Sequence, residues 1–203
     1  MSKKPLIVFE GIEGSGKSHH LNTVAKYLIK NKKKFIQLRE PGGNKNSEKI
    51  RKLILDNKST FNKNTDLLLY QSSRSENIEL IRKNYGKKII LIDRFVDSTI
   101  AYQHYGMGVN KKFIELINSF LLKDITINFT FLNLVNKKNM QERLLKRKKL
   151  NRYDQFNSTF YEKVQSGFMK ILKKNPKKYM KINSNLNMTD NENIVLNKIK
   201  ELI

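Results

Sequence analysis

A chain of 203 residues suffices for one compact domain and is short for two, and its 38% hydrophobic and 9% aromatic residues exclude wholesale disorder despite 29% charged residues. There is no cysteine, which excludes a disulfide scaffold, a cysteine-ligated zinc site and a cysteine nucleophile, and makes a cytoplasmic location the expectation. Lys and Arg number 41 against 18 Asp and Glu, and the net charge of +23 would attract nucleic acid, acidic membrane or small phosphorylated ligands alike. The basic residues are scattered and mostly Lys, in a chain also rich in Asn and Ile, which reads as a bias of composition rather than a phosphate-binding face. No specific nucleic-acid partner is therefore expected. The first apolar stretch, Leu6 to Phe9, is too short for a signal peptide core or a membrane span, so no membrane partner is expected either.

Leu6 to Phe9 is short, apolar and stopped by Gly11, as a buried parallel strand would be. After a glycine-rich turn, Leu21, Val24, Ala25, Leu28 and Ile29 recur at helical spacing over Ser18 to Lys30. Lys34 to Leu38 predicts a second strand, closed by Pro41-Gly42-Gly43, and Ser47 to Asp56 a second helix. Asp66 to Tyr85 predicts a long helix with Gly86 at its stop. Lys88 to Ile92 is continuously apolar and ends in Asp93, the pattern of a central strand with a polar residue emerging at its carboxyl end. Helices follow over Lys112 to Leu122, Lys137 to Lys148, Phe156 to Lys173 and Glu192 to Ile203, with strands over Ile125 to Val135 and, at an edge, Met180 to Ile182. This alternation predicts an α/β, three-layer, doubly wound parallel sheet flanked by helices over 1–203, with ligands at the carboxyl ends of the strands.

Gly11-Ile12-Glu13-Gly14-Ser15-Gly16-Lys17-Ser18 satisfies G-x-x-x-x-G-K-[ST] between a predicted strand and a predicted helix, the context of a phosphate-binding loop. Glycines let backbone N–H groups converge on phosphate oxygens, and the helix that follows adds the positive end of its dipole. ATP or GTP is the expected ligand, with Lys17 on the β/γ-phosphates and Ser18 on Mg²⁺. Asp93 fits the acid that completes the magnesium shell, and Arg94 beside it would meet the phosphate of an acceptor.

The chain resembles the thymidylate kinases of the bacterial kind. The resemblance is carried by the segment Phe9 to Ser18, by Arg39-Glu40-Pro41-Gly42-Gly43, by Leu67 to Arg74, by Asp93 to Ser98 with Ala101-Tyr102-Gln103, and by the basic stretch Arg143 to Asp154. It implies transfer of phosphate from ATP to dTMP, dependent on Mg²⁺, in a homodimer formed through the helix containing Asp66 to Lys83. It also implies that Tyr70 stacks on thymine and that Arg74, one helical turn on, reaches the thymine carbonyl edge. Ser98, Thr99 and Gln103 would lie near the base, Tyr102 against the sugar where a 2′-hydroxyl would project, and Glu13 near the 3′-hydroxyl and the magnesium region. Arg39, Arg51 and Arg94 look like cations for the acceptor phosphate. Glu40-Pro41 is similar to a tight turn of the family, with cis and trans both open for its peptide bond.

Some thymidylate kinases carry an arginine inside the phosphate loop; Glu13-Gly14-Ser15 offers none here. The resemblance then assigns the cationic duty to a lid around 143–155, with Arg143 and Arg147 four apart on one helix face and Arg152 beyond the hinge. Two departures bear on the lid's hinge and ion pairs: Asn151-Arg152-Tyr153-Asp154 stands where Asp-Arg-(Phe/Ile)-Glu is usual, and a lysine near Lys148 replaces a common glycine.

Overall fold

A computed structural model describes residues 3–203. Strand β1 (Leu6–Gly11) runs into helix α1 (Lys17–Lys30), followed by β2 (Phe35–Arg39), α2 (Lys45–Leu55), α3 (Lys63–Asn84) and β3 (Ile89–Asp93). A short α4 (Val96–Thr99) continues as a π-helical turn, Ile100–Gly106, and then come α5 (Lys111–Leu122), β4 (Phe129–Leu134) and α6 (Lys137–Leu145). A 3₁₀ turn, Arg152–Gln155, leads to α7 (Ser158–Lys174), β5 (Tyr179–Asn183) and α8 (Met188–Leu202). The strands form one parallel sheet in the order β2-β3-β1-β4-β5, with Val8 opposite Ile92 on one side and Thr130 on the other.

Period-2 alternation splits the strand residues between two cores. Ile7, Phe9, Leu91 and Phe131 face Leu21, Val24 and Leu28 of α1 and Val195 and Ile199 of α8. Leu6, Val8, Ile90 and Ile92 face Ile78 and Ile81 of α3, while Leu132 joins Val164 and Phe168 of α7 on that same side of the sheet. Three layers result, as the sequence predicts. Ile29, counted in the apolar stripe of α1, is 66% exposed instead, because the helix turns it away from the sheet.

Helix starts owe much to the chain's asparagine. Asn44, Asn62, Asn110, Asn136, Asn157 and Asn187 each cap a helix by accepting a backbone N–H of its first turn. The caps place α2, α3 and α8 two to four residues earlier than apolar periodicity does, whereas α7 begins later, at Ser158. The basic helix α6 ends at Leu145, short of the predicted Lys148, so Arg147 lies in the turn beyond it. The Glu40-Pro41 bond is cis.

Under the carboxyl end of the sheet lies a buried acid. Glu10 Oε1 accepts the N–H of Phe95 (2.8 Å) and of Ser98 (3.2 Å), and its Oε2 accepts the Ser98 hydroxyl (2.5 Å). Burial, and then repulsion from Asp97, pushes its carboxyl up to about 7. The folded state thus keeps this proton to a higher pH than the unfolded chain, and the stability it contributes is lost as pH rises from about 4.5 through about 7. In thermal melts between about pH 5 and pH 8, wild-type protein should lose more stability than Glu10→Gln, which lacks the titrating carboxyl. Parallel pH profiles for the two would contradict this.

Candidate active site

The phosphate loop spans the gap from β1 to α1. Gly11, at φ +143°, has no room for a side chain: a Cβ would lie 2.4 Å from the Asn133 carbonyl oxygen and 2.6 Å from Ser15 Oγ. Gly16, at φ +82°, makes the left-handed turn that starts α1. Lys17 is buried, with Nζ donating one long bond of 3.4 Å to the Ile12 carbonyl. Burial, then the nearby Arg94, pulls its ammonium down to about 8. An ammonium so poorly paired favours an incoming anion.

Ser18 Oγ donates to Asp93 Oδ2 at 2.5 Å, and Asp93 Oδ1 is buried without a partner. A hydroxyl and a carboxylate with an unused oxygen are the hard donors that Mg²⁺ takes when phosphates and water complete its shell, so the residues present fit that ion. Among the described residues no cluster of three or more His, Cys, Asp or Glu could hold a metal by itself.

Arg94 adopts a left-handed backbone, φ +65°, unusual for a side chain of its size. The conformation is held by its N–H donating to the Phe9 carbonyl, and it aims the guanidinium at the loop: Nη1 donates to the Gly11 carbonyl (2.8 Å), and Nη2 pairs with Glu13 (2.7 Å). Tyr102 donates its hydroxyl to the other Glu13 oxygen, and its ring lies 5.0 Å from the Arg94 guanidinium. Burial opposes charge on Glu13, but Arg94 and Lys17 outweigh it and hold the carboxyl below its ordinary value.

A cavity of about 200 Å³ joins these groups to the other candidates. Its walls include Glu13, Lys17, Ser18, Arg39, Arg51, Tyr70, Arg74, Asp93, Arg94, Ser98, Thr99, Tyr102, Gln103 and Arg147. Two of the three lid arginines are absent from that wall. Arg143 donates to the Gly14 carbonyl (2.8 Å) and the Ser184 carbonyl (2.6 Å), which fastens the lid helix to the outside of the phosphate loop. Arg152 pairs with buried Asp66. The helix end at Leu145 explains the divergence of Arg143 and Arg147, which a continuous helix would have kept on one face.

Arg74 differs from expectation in another way. It is 1% exposed and held by four hydrogen bonds, from Nε to Glu40 Oε2, from Nη1 to Gln71 and Asn118 and from Nη2 to Thr99, with Nη2 also ion-paired to Glu40 Oε2 at 2.7 Å. Most of its hydrogens are thus committed within the protein before any base carbonyl arrives. Ser98, expected near the base, gives its hydroxyl to Glu10. Arg39 pairs with Glu48 at the exposed rim, and Arg51 donates to the Pro41 carbonyl (2.6 Å). Glu40, Asn118 and Tyr153 are the members that sequence reasoning missed. Glu40 and Tyr153 stand inside quoted motifs without having been given a role, whereas Asn118 carried no spacing signal.

A phosphate loop and a polar, cation-lined cleft at the carboxyl ends of a parallel sheet define a P-loop kinase of the nucleoside monophosphate type. Comparison with known proteins agrees. A family model described as thymidylate kinase matches residues 9–195. A thymidylate kinase of Thermosipho africanus is 39% identical over 169 residues, covering 82% of this chain and 84% of the relative, and one of Staphylococcus epidermidis is 35% identical over 182 residues, covering 88% and 89%. The crystal structure of thymidylate kinase from Ehrlichia chaffeensis superposes with a TM-score of 0.77 at 30% identity, covering 98% of this chain and 99% of that one. The chain belongs to the thymidylate kinase family.

Proposed function

We propose that the protein transfers the γ-phosphoryl group of ATP to dTMP, giving dTDP and ADP, as a step toward dTTP. The observation that carries this reading is that one cavity brings Lys17 and Arg94 together with Tyr70, Tyr102 and Gln103. The loop's backbone N–H groups and Lys17 bind the donor phosphates. Ser18 and Asp93 would hold Mg²⁺, which when bound neutralises phosphate charge. Arg94, with Arg39 and Arg51 across the cavity, holds the acceptor phosphate in line. Tyr70 covers the thymine ring, and Tyr102, pinned by Glu13, crowds the 2′ position of the sugar. Positioning and charge stabilisation carry the reaction, with no covalent enzyme intermediate.

The same reading includes one catalytic unit with a lid around 143–155, working in the cytoplasm as a homodimer. Among the described residues no helix is long and apolar enough to cross a membrane. Leu68 of α3 and Phe113, Leu116 and Phe120 of α5 are exposed large apolar side chains, which supports a dimer contact on that side. The sedimentation mass should be twice that of one chain.

A coupled assay with a panel of nucleoside monophosphates tests the acceptor. dTMP should be preferred over dCMP by roughly a hundredfold or more in kcat/KM, because a site built to pair with one base edge leaves polar groups unpaired against another. UMP should fail through its 2′-hydroxyl. Comparable turnover of dCMP or UMP would sink the acceptor assignment.

A further inference from the structure

Asp66 stands in the first turn of α3, where an acid ordinarily faces the helix dipole from solvent. Here it is 1% exposed, and both of its oxygens are turned toward the lid. Oδ1 accepts from Arg152 Nη2, and Oδ2 accepts from the Tyr153 hydroxyl. Arg152 is gripped from other sides as well. Its Nε donates to the Ile54 carbonyl at the end of α2 (3.0 Å), and its guanidinium lies 5.7 Å from the Phe61 ring and 5.2 Å from the Tyr153 ring. Asn57 adds a bond to the Leu150 carbonyl (3.2 Å). The far end of the lid is thus fastened to α2 and α3, while the Lys146 to Lys149 stretch before it is exposed.

What the fastening sets is Tyr153. Its ring meets Tyr70 edge-on at 5.8 Å and lies 5.9 Å from Tyr102, and it forms part of the wall of the acceptor cavity. A phenol has one hydrogen to give, and Asp66, which can only accept when ionised, takes it. The lone pairs that remain accept from Gln103 Nε2 at 3.2 Å. With its NH₂ end directed at Tyr153, the Gln103 amide has its carbonyl oxygen left for a ligand. An acceptor there suits the imide N–H of thymine or uracil and opposes the bare ring nitrogen of cytosine.

We infer that Asp66 is a positioning residue: it clasps the lid through Arg152 and, through Tyr153, orients the Gln103 amide to recognise an imide-bearing pyrimidine. The inference rests on the dTMP reading but can fail separately from it. Asp66→Asn removes the charge that both partners use, and bonds to a charged group are the strong ones. Trypsin should then cut ligand-free protein within residues 146–149 roughly tenfold faster than wild type, and KM for dTMP should rise roughly tenfold or more with kcat at saturation changed much less. Tyr153→Phe keeps the ring and the Arg152 pair but breaks the relay. It should leave the cleavage rate unchanged and lower the dTMP-over-dCMP preference roughly tenfold.

Wild-type cleavage and wild-type KM in Asp66→Asn would overturn the clasp, and an unchanged base preference in Tyr153→Phe would overturn the orientation of Gln103. Should Asp66→Asn fail to fold, Arg152→Ala takes its place in the proteolysis arm. An enzyme idle on dTMP would defeat the functional reading alone, since the ligand-free cleavage rates do not depend on substrate.

Discussion

Lys17→Ala is expected to keep the fold and lose at least about a hundredfold in kcat, the scale seen when one preorganised donor to developing charge is removed. The reason lies in how little the protein gives that ammonium. It is buried, it makes one bond of 3.4 Å to the Ile12 carbonyl, and burial has already pulled it down to about 8. Folding therefore gains little from it, and taking away a desolvated, weakly paired charge should leave the melting temperature within a few degrees of wild type. The donor phosphates are the partner it lacks. Turnover above a tenth of wild type, with an unchanged melting temperature, would show that the loop does not serve the transferred phosphate.

What the sequence makes legible follows from how local each signal is. β1 opens with the apolar run Leu6 to Phe9 and β3 is an apolar run ending at Asp93, and a strand buried on both faces leaves that trace. The phosphate loop is contiguous, so its eight residues arrive together. The asparagine caps were equally local signals, readable at Asn44 and Asn62, but apolar periodicity cannot see them because the first turn of a helix often faces water. The π-helical turn Ile100–Gly106 left no helical periodicity, although Ala101 and Tyr102 pack against Phe160 and Phe168 of α7, because Tyr102 and Gln103 also turn polar ends to Glu13 and Tyr153. Partnerships across the chain were beyond reach. Nothing near Arg74 announces that Glu40 and Asn118 will occupy it, and Arg152 finds Asp66 only because the sheet brings the lid down on α3.

Those partnerships also decide which lid arginine is free to act. Arg143 is spent on the Gly14 and Ser184 carbonyls, and Arg152 on Asp66 and the Ile54 carbonyl. Arg147 alone of the three lines the cavity that holds Lys17 and Arg94. It leaves the chain just past α6, where its N–H still bonds the Leu144 carbonyl (3.0 Å), and its Nη1 rests on Asp154 Oδ1 at 2.5 Å. Asp154 is itself immobilised, because its Oδ2 caps its own 3₁₀ turn through the Asn151 N–H (3.0 Å). A fixed carboxylate thus aims the guanidinium across the cavity from a phosphate loop that has no cation in Glu13-Gly14-Ser15. Arg147→Ala should lower kcat by roughly 10³-fold, the lower end for an arginine that stabilises the transferring phosphoryl group, with a smaller change in KM for dTMP. Arg147→Lys should restore little, because a point charge cannot bridge two phosphate oxygens as a guanidinium does. Single-turnover rates separate the three positions: Arg152→Ala should act mainly on KM through the clasp, and Arg147→Ala on the chemical step. Near-normal single-turnover rates for Arg147→Ala would mean that the lid covers the reaction without supplying its charge.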